Sequence, residues 1–104
     1  RTDGSGREFL NVPAGGSLSP TTKESVKNGL HFVRQEGQTV FKNAVFNMAD
    51  VCEKILNKNS LIHEDISWFV AHQANKRIIE ATARRMKLDN SKVMMNIQNY
   101  GNTT

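Results

Sequence analysis

Between residues 39 and 97 the spacing of apolar residues alternates between a helical and an extended period, and few architectures accommodate that alternation. From Thr39, the residues Phe41, Ala44, Val45, Met48, Cys52, Ile55 and Leu56 recur at three- and four-residue steps, which predicts an amphipathic helix to about Asn59. Residues 66–71 (Ile-Ser-Trp-Phe-Val-Ala) are rich in β-branched and aromatic side chains, and the near-continuous apolarity of Trp68 to Ala71 predicts a strand covered on both faces. Asn75 is placed to cap a second helix through about Lys87. That helix has Ile78, Ile79, Thr82, Ala83 and Met86 on one side, and Arg84, Arg85 and Lys87 near its C-terminus, where cations complement the helix dipole. Residues 92–97 (Lys-Val-Met-Met-Asn-Ile) read as another strand. Helix, strand, helix, strand is the order of an α/β fold, in which a right-handed crossover makes the two strands parallel.

Upstream the pattern is weaker. Residues 7–12 are strand formers, Pro13-Ala14-Gly15-Gly16-Ser17-Leu18-Ser19-Pro20 then stops any regular element, and Leu30, Phe32 and Val33 suggest a brief edge strand before Gly37. The chain opens Arg1-Thr2-Asp3-Gly4 without a methionine or signal-peptide pattern and stops at Gly101-Asn102-Thr103-Thr104, so a piece of a larger protein is expected. Its 104 residues fit one domain at most, and 38% apolar with 23% charged residues argues against disorder, collagen and coiled coil. Cys52, the single cysteine, cannot form an internal disulfide, which favours a reducing, intracellular setting; no apolar run reaches the ~20 residues of a membrane span.

In α/β sheets, chemistry gathers just beyond the carboxyl ends of strands, where the backbone turns outward and leaves a crevice. Two polar clusters hold that position: His72-Gln73-Ala74-Asn75 after the first core strand, and Asn99-Tyr100-Gly101-Asn102-Thr103 after the second. His72 suits a donor to a substrate carbonyl or a proton carrier, or else a hydrogen-bonded packing residue. Asn102, following a glycine, suits either a turn or a donor. Together they offer two neutral donors at neighbouring strand ends, able to hold a developing oxyanion without neutralising it. Cys52 lies on the apolar stripe of the long helix and reads as a small buried hydrophobe rather than a nucleophile. His31 and His63 lack metal-ligand spacing, and the Gly15-Gly16 segment is a structural turn rather than a phosphate cradle, since no helix pattern begins there.

The formal charge is +4, and most of the surplus belongs to the second half. Residues 76–92 carry Lys76, Arg77, Arg84, Arg85, Lys87 and Lys92 against Glu80 and Asp89, a set that is either a solvated helix face or a surface for an acidic protein or a phosphorylated molecule. Aromatic interleaving suited to base stacking is absent, which disfavours nucleic acid.

The segment from Trp68 to Ile79, with Asn96-Ile97-Gln98-Asn99-Tyr100-Gly101-Asn102-Thr103-Thr104 about twenty residues on, resembles the C-terminal half of the β-ketoacyl-[acyl-carrier-protein] synthase III family. Leu10 to Ser17 and the helix beginning near Val40-Phe41-Lys42 match it in order and spacing. The resemblance covers nearly the whole chain and implies that residues 1–104 are part of the C-terminal thiolase-like domain of a condensing enzyme. The implied fold is α/β, a parallel-rich mixed sheet flanked by helices, with the N-terminal half and a glycine-rich tail absent.

The implied activity is condensation of a short acyl-CoA primer with malonyl-acyl carrier protein, to start fatty-acid chains. On this sequence the family's catalytic histidine maps to His72 and its asparagine to Asn102. The nucleophilic cysteine belongs to the N-terminal half, and Cys52 does not match its motif. The carrier-contact segment maps to Gln73, Ala74, Asn75, Lys76 and Arg77, with Arg77 the matching cation, and Asn75 also maps to a residue of the pantetheine tunnel. Thr104 stands where the family commonly has serine. The resemblance further implies a cytoplasmic homodimer, with no metal or cofactor besides the substrates and with neither nucleic acid nor membrane as partner. The piece alone is expected to be inactive and to expose apolar faces of residues 66–71 and 92–97. Two other readings stay open: another thiolase-fold enzyme using CoA throughout, and a basic binding module in which His72 and Asn102 are merely structural.

Overall fold

The structure is a computed structural model that describes residues 4–103, so Thr104 and the opening Arg1-Thr2-Asp3 lie outside the described residues. The chain divides into two compact units, one up to Val40 and one from Phe41.

In the first unit, a turn of 3-10 helix at Arg7–Phe9 leads into β1 (Leu10–Asn11), followed by α1 (Lys23–Lys27) and β2 (Arg34–Gln35). β1 and β2 pair antiparallel, Leu10 opposite Gln35 and Asn11 opposite Arg34. A brief edge strand therefore forms before Gly37, but beyond all three residues that suggested it, Leu30, Phe32 and Val33. The loop between them closes on itself: Gly15 N–H donates to Ser19 O at 2.8 Å and Ser19 N–H to Gly16 O at 3.2 Å, so the glycines build a turn. Gly15 sits at φ 132°, a backbone that residues with a Cβ rarely adopt. The sequence reading missed α1. It starts at a reciprocal cap, in which Thr22 Oγ1 accepts from Ser25 N–H at 3.0 Å and Ser25 Oγ accepts from Thr22 N–H at 2.8 Å.

The second unit is built on α2 (Gly37–Lys58, its first residues in the preceding unit) and α3 (Lys76–Arg85). α3 matches its pattern closely: Ile79, Thr82 and Ala83 are fully enclosed, and Met86 nearly so. Ile79, Ala83 and Met86 meet Ala49, Phe69 and Leu88 in one apolar core, against which Met48, Cys52, Ile66, Ala71, Val93 and Met95 also pack. On α2 the buried line differs from the expected stripe. Ala49 is buried where the pattern passed over it, and Ile55, placed on the stripe, is exposed. An alanine carries little hydrophobic signal yet fits where helices approach closely. Both helices end on a left-handed residue, Ser60 (φ 55°) after α2 and Lys87 (φ 54°) after α3, with Leu61 and Leu88 N–H reaching back to Leu56 and Ala83 O at 3.0 Å.

The parallel-rich sheet is reduced to a single parallel bridge, Phe69 with Val93, made by Phe69 N–H to Lys92 O (2.7 Å) and Met94 N–H to Phe69 O (3.0 Å). A longer ladder is blocked because four other N–H groups of residues 92–97 have partners elsewhere. Lys92 and Val93 donate into the 3-10 turn at Asn90–Lys92, while Asn96 and Ile97 donate to a side chain, that of Gln73. Residue 97 does not end a strand; it begins α4 (Ile97–Tyr100), a one-turn helix. Residues 66–71 are covered on one face only. Phe69 is buried, whereas Trp68 and Val70 are 59% and 69% exposed, and Met94 across from them is also exposed. The expected apolar exposure is thus present among the described residues.

Candidate functional site

The two polar clusters meet. Gln73 and Thr103 form an antiparallel bridge, so the segments carrying His72 and Asn102 run side by side, each residue one position from the bridge. Both are exposed. The chain reaches Asn102 through α4, whose last turn closes with Gly101 N–H on Ile97 O at 2.8 Å, and through Gly101 itself at φ 71°, ψ −152°. That conformation is essentially restricted to glycine. The glycine of the Gly-Asn-Thr motif is there for the backbone path that returns Asn102 and Thr103 toward Gln73.

Gln73 is the buried member of its cluster. Assigned to a carrier-contact segment, its side chain is instead 6% exposed and fully engaged with main chain. Its Nε2 donates to Ala71 O (2.9 Å) and Met94 O (3.3 Å), and its Oε1 accepts from Asn96 N–H (3.0 Å) and Ile97 N–H (3.2 Å). These contacts use both donors and both lone pairs of the amide, leaving nothing for a partner at the surface. The sequence held no signal for this, because the partners lie more than twenty residues away. Beside it, Asn96 Oδ1 is buried with no hydrogen-bond partner, a cost of about 1–3 kcal/mol for such a group.

The remaining members of the segment face outward. Asn75 caps α3 as expected, its Oδ1 accepting from Arg77 N–H at 2.9 Å. Lys76 and Arg77 occupy the first turn of α3, and the Arg77 guanidinium lies 5.7 Å from the centre of the Phe41 ring, a cation–π contact that limits where it can swing. On the same helix Lys76 and Arg84, with Glu80, line an open groove of about 510 Å³ whose other wall is Asn90, Val93, Met95 and Gln98. Lys76 to Glu80 is a loose, exposed pair at 3.7 Å.

Cys52 packs against the core, and burial, with a smaller contribution from the Glu53 carboxylate, pushes its thiol up from the usual range. An environment that favours the neutral thiol works against nucleophilic reactivity. His63 pairs with Glu53 at 2.8 Å and His31 lies against Phe32. Among the described residues no group of three or more His, Cys, Asp or Glu is placed to hold a metal ion, and no helix is long and apolar enough to cross a membrane.

Residues 56–104 match the family model described as 3-oxoacyl-[acyl-carrier-protein] synthase III C terminal. Among curated proteins, the β-ketoacyl-[acyl-carrier-protein] synthase III of Azobacteroides pseudotrichonymphae is 52% identical over 103 residues, which are 99% of this chain and 31% of that protein. The enzyme of the same name from Chlorobaculum tepidum is 57% identical over 99 residues, 95% of this chain and 30% of its own length. The chain thus spans about a third of the length of the curated relatives it matches. A 3-oxoacyl-(acyl-carrier-protein) synthase III structure superposes on 90% of the chain with a TM-score of 0.81 at 25% identity, covering 31% of that structure. The Pseudomonas aeruginosa enzyme superposes on 99% with a TM-score of 0.79 at 30% identity, covering 29% of that structure. The thiolase-like α/β arrangement expected from the sequence is borne out for the part that this chain spans.

Proposed function

We propose that this chain, homologous along its length to the C-terminal part of β-ketoacyl-[acyl-carrier-protein] synthase III, contributes the enolate-stabilising pair and the carrier-docking cation of a decarboxylative condensing enzyme. The observation that carries the reading is the Gln73–Thr103 bridge, which sets the segments of His72 and Asn102 next to each other at the surface.

In this reading, a cysteine thiolate elsewhere in the full-length protein takes an acyl group from acyl-CoA as a thioester, expelling the CoA thiolate. The malonyl thioester on acyl carrier protein then loses its carboxylate: the carbon–carbon bond breaks, carbon dioxide leaves, and the electron pair moves onto the thioester oxygen as an enolate. The His72 imidazole and the Asn102 carboxamide donate to that oxygen. Being neutral, they stabilise the charge as it forms without trapping it as a tight ion pair. The enolate carbon attacks the acyl thioester, forming the new carbon–carbon bond and releasing the enzyme thiolate. One preorganised donor of this kind is typically worth about 3–4 kcal/mol.

Arg77, steadied over Phe41, and the neighbouring Lys76 and Arg84 give an acidic carrier protein a basic face to meet, raising encounter rate and orientation more than chemical rate. Ala74 and Asn75 complete the contact segment in this reading. Asn75 Oδ1 serves the helix cap, so a pantetheine contact falls to its Nδ2. Assembly as a homodimer and a cytoplasmic location rest on the resemblance alone.

The test is made in the full-length protein. Asn102→Ala and His72→Ala should each lower malonyl-carrier-protein decarboxylation by about 100- to 1000-fold, and unchanged rates overturn the proposal. Arg77→Glu should raise KM for the malonyl carrier while leaving acylation by acyl-CoA alone; an unchanged KM points to an enzyme that uses CoA throughout.

A further inference from the structure

We infer that Gln73 is a positioning residue for the enolate site: its buried amide holds the outgoing end of the loop that carries Asn102 and its main chain bridges the returning end, so the reach of the Asn102 carboxamide is set by a residue that touches no substrate. The inference rests on the functional reading above and adds to it the residue through which one of the two donors is held.

Residues 96–103 leave the core and return to it at one residue. At the outgoing end, Gln73 Oε1 accepts from the N–H groups of Asn96 and Ile97, the cap and first residue of α4. A helix leaves its first four N–H groups without intrahelical acceptors. With only four residues, α4 has little else to fix its start, and its own N-cap side chain makes no capping bond. At the returning end, Thr103 forms its bridge with Gln73. Between the two anchors stand one turn of helix, Gly101 in a conformation that only glycine adopts readily, and Asn102. The Gln73 amide is itself fixed from below by donation to Ala71 O and Met94 O, one on either side of the Phe69–Val93 bridge, so it carries the core's rigidity to the loop.

Replacing the amide with an apolar side chain of similar length would leave the Asn96 and Ile97 N–H groups without their acceptor and free the outgoing end of the loop. A donor displaced by about 1 Å can cost ~100-fold in rate. His72 adjoins Gln73 in the chain, but its segment is not suspended in this way. The predicted damage therefore runs through Asn102 and falls on the step that needs the enolate.

The experiment compares two half-reactions of the full-length enzyme, acylation by acyl-CoA and decarboxylation of malonyl-acyl carrier protein. The variants are Gln73→Met, Asn102→Ala and the double variant. The expected result is acylation within about threefold of the parent in Gln73→Met, decarboxylation down about 100-fold, and no further loss when Gln73→Met is added to Asn102→Ala. That non-additivity is what acting through another residue requires. Acylation and decarboxylation falling together, or losses that multiply in the double variant, overturn the inference in favour of a purely structural glutamine. Where Gln73→Met fails to fold, Gln73→Asn, one methylene too short to keep the acceptor at the Asn96 and Ile97 N–H groups, undergoes the same comparison; loss of acylation together with decarboxylation in that variant also overturns it. Intact decarboxylation in Asn102→Ala refutes the functional reading instead, whereas an impaired Asn102→Ala beside an unimpaired Gln73→Met refutes this inference alone.

Discussion

Gly101→Ala isolates the backbone contribution to the site. At φ 71°, ψ −152°, a Cβ added to Gly101 meets nothing within 4 Å, so the substitution creates no collision and its whole cost is torsional. Residues other than glycine held in such regions cost about 1–3 kcal/mol, and the loss of chain entropy in the unfolded state returns about 0.4–1 kcal/mol. The net expectation is a destabilisation of about 1–2 kcal/mol. Gly37→Ala is the matched control. The space around that Cβ is equally open, Gly37 has no positive φ, and it is the first residue of α2, so alanine there should be neutral or stabilising by up to about 1 kcal/mol.

The protein can also escape the strain by rotating the backbone at residue 101, which swings Asn102 away from its place beside the bridge. Stability would then fall less and decarboxylation more, by about 100-fold for each ångström or so of displacement. Urea denaturation and malonyl-carrier-protein decarboxylation, both on the full-length protein, read the two outcomes. If Gly101→Ala behaves like Gly37→Ala in both assays, the backbone argument for the Gly-Asn-Thr motif is wrong.

Two further predictions concern the core and its helix ends. Lys87→Gly should stabilise the protein by about 0.5–1 kcal/mol in denaturant titrations, because Lys87 is exposed and occupies a left-handed C-terminal position that glycine adopts without the Cβ penalty. Cys52→Ala should leave turnover unchanged, and in the parent the alkylation of Cys52 should titrate above the range of a free thiol, because burial first and Glu53 second raise its pKa. The sign for stability follows: the folded state favours the neutral thiol, so this contribution is complete below about pH 8.5 and declines as pH rises through the folded titration. Cys52→Ala should flatten that alkaline decline, and an identical slope would show that the thiol is not desolvated.

The helices were legible because their burial repeats within the element itself. Ile79, Thr82, Ala83 and Met86 share a face by spacing alone, and Asn75 announces the cap. Errors arose where partners come from far along the chain. Residues 92–97 have strand-forming composition, but the N–H groups of Lys92 and Val93 end in a 3-10 turn and those of Asn96 and Ile97 on the Gln73 amide, which no local pattern encodes. The burial of Ala49 and exposure of Ile55 show the same limit on α2, where position against the core outweighs hydropathy. α1 was missed because its capping pair is Thr22 and Ser25, whereas the usual sequence signature has glutamate or glutamine at the second position.

For the site, residue types were legible and division of labour was not. In His72-Gln73-Ala74-Asn75, alternation along an extended segment puts neighbours on opposite sides: Gln73 turns inward and is buried while His72 and Ala74 stay exposed. A reading that treats the motif as one contact surface assigns all of it to a partner. The geometry instead separates residues that meet the outside from one that holds the loop carrying Asn102. This separation has a consequence for substitution. A change at His72 alters an exposed side chain that shares no hydrogen bond with the core, whereas a change at Gln73 leaves as many as four partly buried main-chain groups without their partner at once. Water reaches partly buried groups, so each loss costs less than the ~1–3 kcal/mol of a fully buried one, yet Gln73 should still tolerate replacement less well in stability than His72, although only His72 is proposed to touch the reacting oxygen.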